Sequence, residues 1–499
     1  MKTLNELQKE LAQISTLAGI SAVLNWDQET YMPADAIEFR SNQLALMSTL
    51  THQRHTGPEL RAILSDWVNL ETGRILRSDL STREQALLRE VYRDWKHATA
   101  LPEAFVEETA RAQAHSQHAW QEARKQDNFA HFSPHLSTMI SLAKQKAQYL
   151  NPSINPYDCL LDEFEPTMTA AVLTPVFERL RQGIMDVLAH IQSKPKPDTT
   201  PWDGQPFDTQ AQWDFGIEIL NAMGYDFGKG RQDKSAHPFT TQFHPTDVRI
   251  TTRLNELDFM DGLSSTMHEG GHALYEQGVD VAWFGTPLGS ANSLGIHESQ
   301  SRLWENVVGK SKAFWSHYYP KLQAYFPTQL GSVSLDAFYA GIHQIKPSFI
   351  RVAADEVTYN LHILIRFELE QLMFNTDIPV SELPKVWNEK YQHYLGITPT
   401  SNSVGILQDV HWSCGLFGYF PTYTLGNLYS AQLFNQAKIE IPHLETQINS
   451  GKLLPLKQWL NQKVHLVGRE KSAQDLMTSI TGQPLSEKAF LDYLQSKYS

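Results

Sequence analysis

His268 and His272, in the segment TMHEGGHALYEQG at 266–278, have a spacing that suits metal binding. On an α-helix, residues four apart lie on one face, separated by about 40°, so both imidazoles could bind one metal ion. Glu269 could then reach a water molecule beside the ion without being a ligand. With 20 histidines in the chain, the same pattern also fits two surface histidines flanking a glutamate.

The two residues in the middle of this segment, Gly270 and Gly271, oppose a helix, because each glycine costs about 1 kcal/mol relative to alanine. The neighbouring apolar positions nevertheless form one continuous helical stripe that would face a core: Leu263, Met267, Gly271 and Leu274. The close approach of another backbone explains a glycine on that stripe. The sequence therefore predicts a helix here, with Gly278 as its stop.

A third metal ligand must come from elsewhere in the chain. A metzincin would continue with a glycine and a third histidine, but Tyr275 and Gly278 occupy those positions, which excludes that subclass. Glu298, in GIHESQSRLWENVVG, opens an amphipathic pattern and is a candidate. It also fits a carboxylate favoured at a helix N-terminus, and Glu305 nearby is an alternative ligand.

The elements that must position these residues are mostly helical. Helical spacing of apolar and charged residues is clear over 82–126 and recurs to the C-terminus. The clearest loop is KPKPDTTPWDGQP at 194–206, interpreted as a surface excursion within one domain. In TDVRITTRL, at 246–254, apolar and charged residues alternate with the period of a strand.

Composition excludes several classes of function. Lys+Arg 42 against Asp+Glu 55 gives a net charge of −13 spread along the chain, so neither nucleic acid nor a membrane is expected as a partner. Glu6, Lys9 and Glu10 interrupt the first segment where a signal peptide would be apolar, which indicates the cytoplasm. With only Cys159 and Cys414, the chain has neither a disulfide framework nor a cysteine-based metal site.

Six ordered motifs resemble those of the carboxypeptidase Taq family, thermostable metallocarboxypeptidases of the gluzincin type, over nearly the whole chain. They are WDQETYMP at 26–33, DVRIT at 247–251, HEGGH at 268–272, HESQ at 297–300, IRVAAD at 350–355 and GILQDVHW at 405–412.

The resemblance assigns the metal to His268, His272 and Glu298. It implies a mainly α fold, taken here as one large domain over 1–499, with a deep active-site groove, a small antiparallel β-sheet near the metal, and commonly a homodimer. The sequence departs from related gluzincins at Arg302, where an acidic residue often follows the ligand glutamate. The outer shell of the metal is therefore not defined by the sequence.

The residue types define a hydrolytic chemistry. Three protein ligands leave the ion an open position for water, whose pKa falls to about 7 on zinc. Glu269 would be the general base. His411 and Tyr423 are candidates to stabilise the oxyanion, because related gluzincins use a similarly spaced pair; both also fit a buried core. Zinc is the expected ion, and cobalt and manganese also accept these ligands.

A cation is needed to recognise a peptide's terminal carboxylate. Around IRVAAD, helical periodicity places polar residues, including Arg351 and Asp355, on a stripe beside an apolar one, which favours a wet groove over an exposed ion pair. Arg351 would bind the carboxylate, with Asp355 holding its orientation. Arg249, in the predicted strand with Asp247, is the rival.

The predicted strand DVRIT could itself border the groove. Its backbone would then pair with an extended substrate by strand addition. Asp247 and Arg249 would point away from Val248 and Ile250.

Together these features predict a metal-dependent carboxypeptidase that releases single residues from peptides with a free C-terminus, with broad specificity. An oligoendopeptidase with the same chemistry is the first alternative, and a catalytically silent helical peptide-binding protein is the second. Intact Glu269 and three intact ligands argue against a silent protein.

Overall fold

The computed structural model describes residues 2–194 and 200–498, and over these ranges the chain is mainly α-helical, as predicted. Side-chain caps start several helices; the side chains of Thr3 and Ser81 each complete a capping box. The α-helices in chain order are α1 (Leu4–Thr30), α2 (Ile37–Thr56), α3 (Pro58–Ser65), α4 (Thr82–Ala100), α5 (Glu103–Lys125), α6 (Phe129–Leu150), α7 (Pro156–Asp162), α8 (Ala170–Gln192), α9 (Thr209–Met223), α10 (Phe259–Glu276), α11 (Leu294–Arg302), α12 (Lys312–Tyr325), α13 (Pro327–Leu330), α14 (Leu335–Ile342), α15 (Tyr359–Asn375), α16 (Leu383–Leu395), α17 (Pro421–Glu440), α18 (Leu444–Asn449), α19 (Leu454–Lys463), α20 (Ala473–Thr481) and α21 (Lys488–Tyr498).

The largest hydrophobic core extends from α5 to α21, and α17 runs through it with most of its side chains buried. A smaller hydrophobic cluster joins α1, α3 and α4. The prediction of one domain over 1–499 stays a prediction. Of the predicted loop at 194–206, residues 195–199 lie outside the described residues, and residues 200–206 are irregular with Trp202 buried.

The strands are β1 (Gln232–Lys234), β2 (Thr240–His244) and β3 (Asp247–Thr252), in the order β1-β3-β2. The predicted strand is therefore confirmed, and Val248 and Ile250 are buried while Asp247 and Arg249 are partly exposed. The expected antiparallel sheet is wrong for one pair. β2 is antiparallel to β3, but β1 is parallel to it, so the sheet is mixed.

The position of β3 in this sheet rules out substrate pairing on that strand. β3 lies in the middle, and its two edges are hydrogen-bonded to β1 and β2. The prediction that DVRIT accepts an extended substrate by strand addition is therefore wrong, because strand addition requires an unpaired edge. Within the described part of the chain, β2 is the edge strand that lies against α10.

The helix predicted through the two glycines is confirmed as α10, whose start is capped by the side chain of Asp258. Its apolar stripe is buried, including Leu263, Met267 and Leu274. Gly271 faces α11 so closely that a Cβ atom there would lie 2.6 Å from the carbonyl oxygen of Gln300. This contact is the close backbone approach that the sequence predicts.

Replacing Gly271 with alanine is expected to destabilise the protein by roughly 1–3 kcal/mol, because the added methyl group meets backbone atoms. To make room for the methyl group, α10 would have to move away from α11. Gly19→Ala in α1 is the matched control, since a Cβ there is 3.5 Å from the nearest atom. Helix propensity alone should make that control more stable, by up to about 1 kcal/mol. Urea unfolding measures both, and equal stability of the two variants would contradict the packing argument.

The prediction of a helix with a polar stripe around IRVAAD is wrong. Residues 351–353 form a single 3₁₀ turn, and α15 begins only at Tyr359. The carboxylate of Asp355 accepts hydrogen bonds from the backbone N–H groups of Val357 and Thr358, at 3.0 and 2.9 Å. This local side-chain turn competes with a helix, although the apolar spacing continues through it.

Candidate metal centre and active site

Two helices bring the three candidate metal ligands together. His268 and His272 project from α10, and their Nε2 atoms lie 3.7 and 3.5 Å from Oε2 of Glu298 on α11. The three donor atoms all lie within 4.8 Å of one another. Two imidazoles and one carboxylate are a donor set that suits a divalent transition metal, so these residues fit the ion that the sequence predicts.

The position of Glu298 depends on how α11 is held. The side chain of Ser293 caps the start of the helix, and the buried carboxylate of Glu165 accepts a hydrogen bond from the backbone N–H of Gly295 at 3.0 Å. Glu298 therefore lies beyond the first turn of the helix, which argues against the alternative that it is only a carboxylate favoured at a helix N-terminus. Gly426 of α17 leaves room for it, since a Cβ there would lie 2.4 Å from Cγ of Glu298.

Glu305 and Arg302 contact the candidate ligands and are candidates for the outer shell that the sequence left undefined. Glu305 lies on a π-helix, Leu303–Val308, that continues α11. Its Oε2 is 2.9 Å from Nδ1 of His268, which leaves Nε2 of that ring for the metal. Nε of Arg302 donates to Oε1 of Glu298 at 2.7 Å. Glu305 thus lies behind His268, outside the group of three donor atoms.

A second ring supports His272. The imidazole of His297 stacks on it with the ring centroids 4.3 Å apart, and Nε2 of His297 contacts Oε1 of Glu276 at 2.8 Å. Burial lowers the pKa of His272 to about 3. The imidazole is therefore neutral near pH 7, the form that binds a metal.

Glu269 is buried beside the three donor atoms, and β2 supplies its hydrogen-bond partner. The hydroxyl of Thr240 donates to Oε2 of Glu269, with 2.6 Å between the oxygens. Burial raises the pKa of Glu269 above its usual value, although the neighbouring His268 and Thr240 oppose the shift. A carboxylate with a raised pKa is a better proton acceptor.

The two oxyanion candidates contact each other. Nε2 of His411, in the 3₁₀ turn His411–Cys414, is 3.3 Å from the hydroxyl of Tyr423 in the first turn of α17. Burial lowers the pKa of His411 to about 4, so its imidazole is neutral at pH 7. The pair could therefore offer a neutral hydrogen-bond donor to a developing negative charge.

Arg351 is held by Asp409. Nε and Nη2 of Arg351 lie 2.9 and 2.8 Å from Oδ1 of Asp409, whose Oδ2 pairs with Arg366 at 2.6 Å. The predicted role of Asp355 is therefore wrong: its carboxylate accepts from the backbone N–H groups of Val357 and Thr358, just before α15, and Asp409 orients Arg351 in its place. Two guanidiniums share one carboxylate, which leaves this cluster with an excess positive charge.

The rival arginine is neutralised. Nε and Nη2 of Arg249 each lie 2.9 Å from a carboxylate oxygen of Asp247. The guanidinium also lies between the rings of Trp26 and Phe243, at 4.4 and 4.8 Å from their centroids. Arg249 therefore joins Trp26, in the N-terminal motif WDQETYMP, to the sheet.

Several contacts of the site are not predicted by the sequence. Asp409 lies inside the motif GILQDVHW, and Glu305 is predicted only as an alternative ligand, so both carried a signal. Thr240 carried none, because its contact with Glu269 depends on how β2 packs against α10. The same holds for Tyr359, whose hydroxyl accepts from Nη1 of Arg351 at 3.3 Å.

Comparison with known proteins identifies the class. Residues 6–498 match the model of the carboxypeptidase Taq (M32) metallopeptidase family. The chain is 41% identical to thermostable carboxypeptidase 1 of Thermus thermophilus, over 100% of this chain and 98% of the relative. It is 39% identical to carboxypeptidase 1 of Bacillus subtilis, over 98% and 96% of the two chains. The crystal structure of an M32 carboxypeptidase from Deinococcus radiodurans superimposes with a TM-score of 0.95 at 39% identity, covering 99% of this chain and 98% of that one.

The chain belongs to the carboxypeptidase Taq family of metallopeptidases. It is a metal-dependent carboxypeptidase, and peptides are its substrates. Within residues 2–194 and 200–498, no helix has both the length and the apolar character needed to cross a bilayer.

Proposed function

We propose that His268, His272 and Glu298 bind one divalent ion, zinc, and that Glu269 is the general base of peptide hydrolysis. The convergence of the three donor atoms within 4.8 Å carries this proposal. When bound there, the ion would polarise the scissile carbonyl and lower the pKa of a water molecule.

Glu269 would take a proton from the attacking water and deliver it to the leaving amine. Its raised pKa suits the first step, and general base catalysis of this kind contributes roughly 10²–10⁴ in rate. The Thr240 hydroxyl would fix the carboxylate through Oε2, which leaves Oε1 for the water.

His411 and Tyr423 would stabilise the negative charge that develops on the carbonyl oxygen. Their contact at 3.3 Å means that each can orient the other's proton. Because His411 is neutral, this stabilisation would come from a hydrogen bond rather than from a full positive charge.

Arg351 would bind the terminal carboxylate of the substrate. The excess positive charge of the cluster with Arg366 and Asp409 supports this role, since a buried anion needs a cation that is not already neutralised. Arg249 is the weaker candidate because Asp247 already compensates its charge.

The substrate's carboxylate provides the test. We expect a peptide with a free C-terminus to be trimmed stepwise and its amidated twin to be cleaved roughly a hundredfold more slowly. Arg351→Ala should weaken cleavage of the free acid far more than that of the amide. Arg351→Lys should restore only part of the preference, because an ammonium cannot reproduce the guanidinium fork. Mass spectrometry of the products over time measures each rate.

Arg249→Ala is the matched control, and it should leave the preference for the free acid intact. If the preference survives Arg351→Ala and disappears in Arg249→Ala, then Arg249 on β3 binds the terminal carboxylate of the substrate. Equal cleavage of the acid and the amide by the parent protein would show that recognition of a free terminus is absent, as in an oligoendopeptidase.

We also propose the metal ion, the oligomeric state and the location of the enzyme. Zinc is proposed over cobalt and manganese because it is the usual ion for two imidazoles and a carboxylate in hydrolases. We also propose a homodimer of one-domain subunits, on the family resemblance. A cytoplasmic location is proposed on the two cysteines, Cys159 and Cys414, which are both free.

A further inference from the structure

The two carboxylate oxygens of Glu298 have different partners. Oε2 faces Nε2 of both His268 and His272, at 3.7 and 3.5 Å. Oε1 accepts a hydrogen bond from Nε of Arg302 at 2.7 Å. One oxygen is therefore directed toward the other two donor atoms, and the second is engaged by a guanidinium.

Arg302 is itself held on two further sides. Its Nη1 lies 3.4 Å from Oε2 of Glu305, which contacts Nδ1 of His268 at 2.9 Å. Its guanidinium also lies over the ring of Tyr359, 4.7 Å from the ring centroid. The arginine side chain is mostly buried, and its contacts with Glu305 and Tyr359 hold it in place beside Oε1.

We propose that Arg302 keeps Oε1 of Glu298 away from the metal, so that Glu298 binds through Oε2 alone. The inference rests on the ligand set proposed above. A carboxylate can bind a metal with one oxygen or two, and a second bound oxygen would fill the position that a catalytic site keeps open for water. Arg302 is thus a positioning residue that sets how many protein atoms surround the ion.

The effect of removing Arg302 on metal affinity distinguishes this role from one in which Arg302 only holds Glu298 in place. Removing the guanidinium frees Oε1 to bind the ion, and it also removes a positive charge beside a dication. Both changes should tighten metal binding while turnover falls. If Arg302 only held Glu298 in place, its loss would weaken metal binding instead, as happens when outer-shell partners are removed.

The test compares the parent protein with Arg302→Met and Arg302→Lys. Competition with a chromophoric chelator should show zinc bound at least roughly tenfold more tightly by Arg302→Met, with a lower kcat. Cobalt-loaded Arg302→Met should absorb more weakly in the visible than the cobalt-loaded parent, as expected for an added ligand. Arg302→Lys keeps the charge, so its zinc affinity should stay near that of the parent.

The matched control is Arg253→Met, which removes an exposed arginine paired with Asp261 at the start of α10. It should change neither zinc affinity nor the cobalt spectrum. Weaker zinc binding by Arg302→Met with an unchanged cobalt spectrum would overturn the proposal.

A crystal structure of the zinc-loaded parent covers the case in which neither Arg302 variant folds. The proposal requires Oε2 at about 2.0–2.2 Å from zinc and Oε1 outside that distance. Zinc bound by both oxygens would overturn this inference alone. Zinc bound without Glu298 would overturn the ligand set, and with it the proposed function.

Discussion

Replacing Glu269 with glutamine is expected to lower kcat by roughly 10²–10⁴ while the metal content stays close to that of the parent. Glutamine has nearly the same shape, and its amide oxygen can still accept from the Thr240 hydroxyl, which lies 2.6 Å from Oε2 in the parent. It cannot accept a proton from water. Peptide hydrolysis rates and elemental analysis of the purified protein measure the two quantities.

Thr240→Val is the matched control for this substitution. It keeps the proposed general base and removes only the hydroxyl that donates to it, so its loss of activity should be much smaller than that of Glu269→Gln. A Glu269→Gln protein that hydrolyses peptides at the parental rate would exclude Glu269 as the base.

The largest effects are expected at the three proposed ligands. His268→Ala, His272→Ala and Glu298→Ala should each lose bound metal and activity together, because two remaining donors do not form a stable site. Glu305→Gln should behave differently, since Glu305 contacts only Nδ1 of His268 within this group. Its zinc affinity should fall by about 10–100-fold, with activity recovered in excess zinc.

Elemental analysis and activity measured against added zinc separate these variants. If Glu298→Ala retained tightly bound metal and Glu305→Gln lost it, Glu305 would be the third ligand. That outcome would restore the alternative left open by sequence spacing.

The sequence predicts those parts of the site that depend on local periodicity. The stripe of Leu263, Met267 and Leu274 identified α10 in spite of its two glycines, and alternation identified β3. In both cases burial of one face repeats along a single element, so the pattern is visible without knowledge of its neighbours.

Local periodicity also produced an error, in the segment around Arg351. Apolar and polar residues repeat there with helical spacing. However, the Asp355 carboxylate accepts hydrogen bonds from backbone N–H groups, and the next helix, α15, begins only at Tyr359. As a result Asp355 cannot face Arg351 across a helical turn. The partner of Arg351 is Asp409, which is far away in sequence.

The rest of the site depends on how distant elements pack. The contact of Thr240 with Glu269 needs β2 against α10, and the contact of Glu305 with His268 needs a π-helix after α11. The parallel pairing of β1 has the same origin, since three residues are too few to show a strand pattern. Spacing within one segment contains no information on these contacts.

The most direct test of the account is a crystal structure of Glu269→Gln with zinc and a peptide that has a free C-terminus. We predict zinc at about 2.0–2.2 Å from Nε2 of His268, Nε2 of His272 and Oε2 of Glu298. The terminal carboxylate, one residue beyond the carbonyl that faces the zinc, should lie about 2.7–2.9 Å from guanidinium nitrogens of Arg351. Zinc bound by other residues, or the carboxylate bound by Arg249, would contradict it.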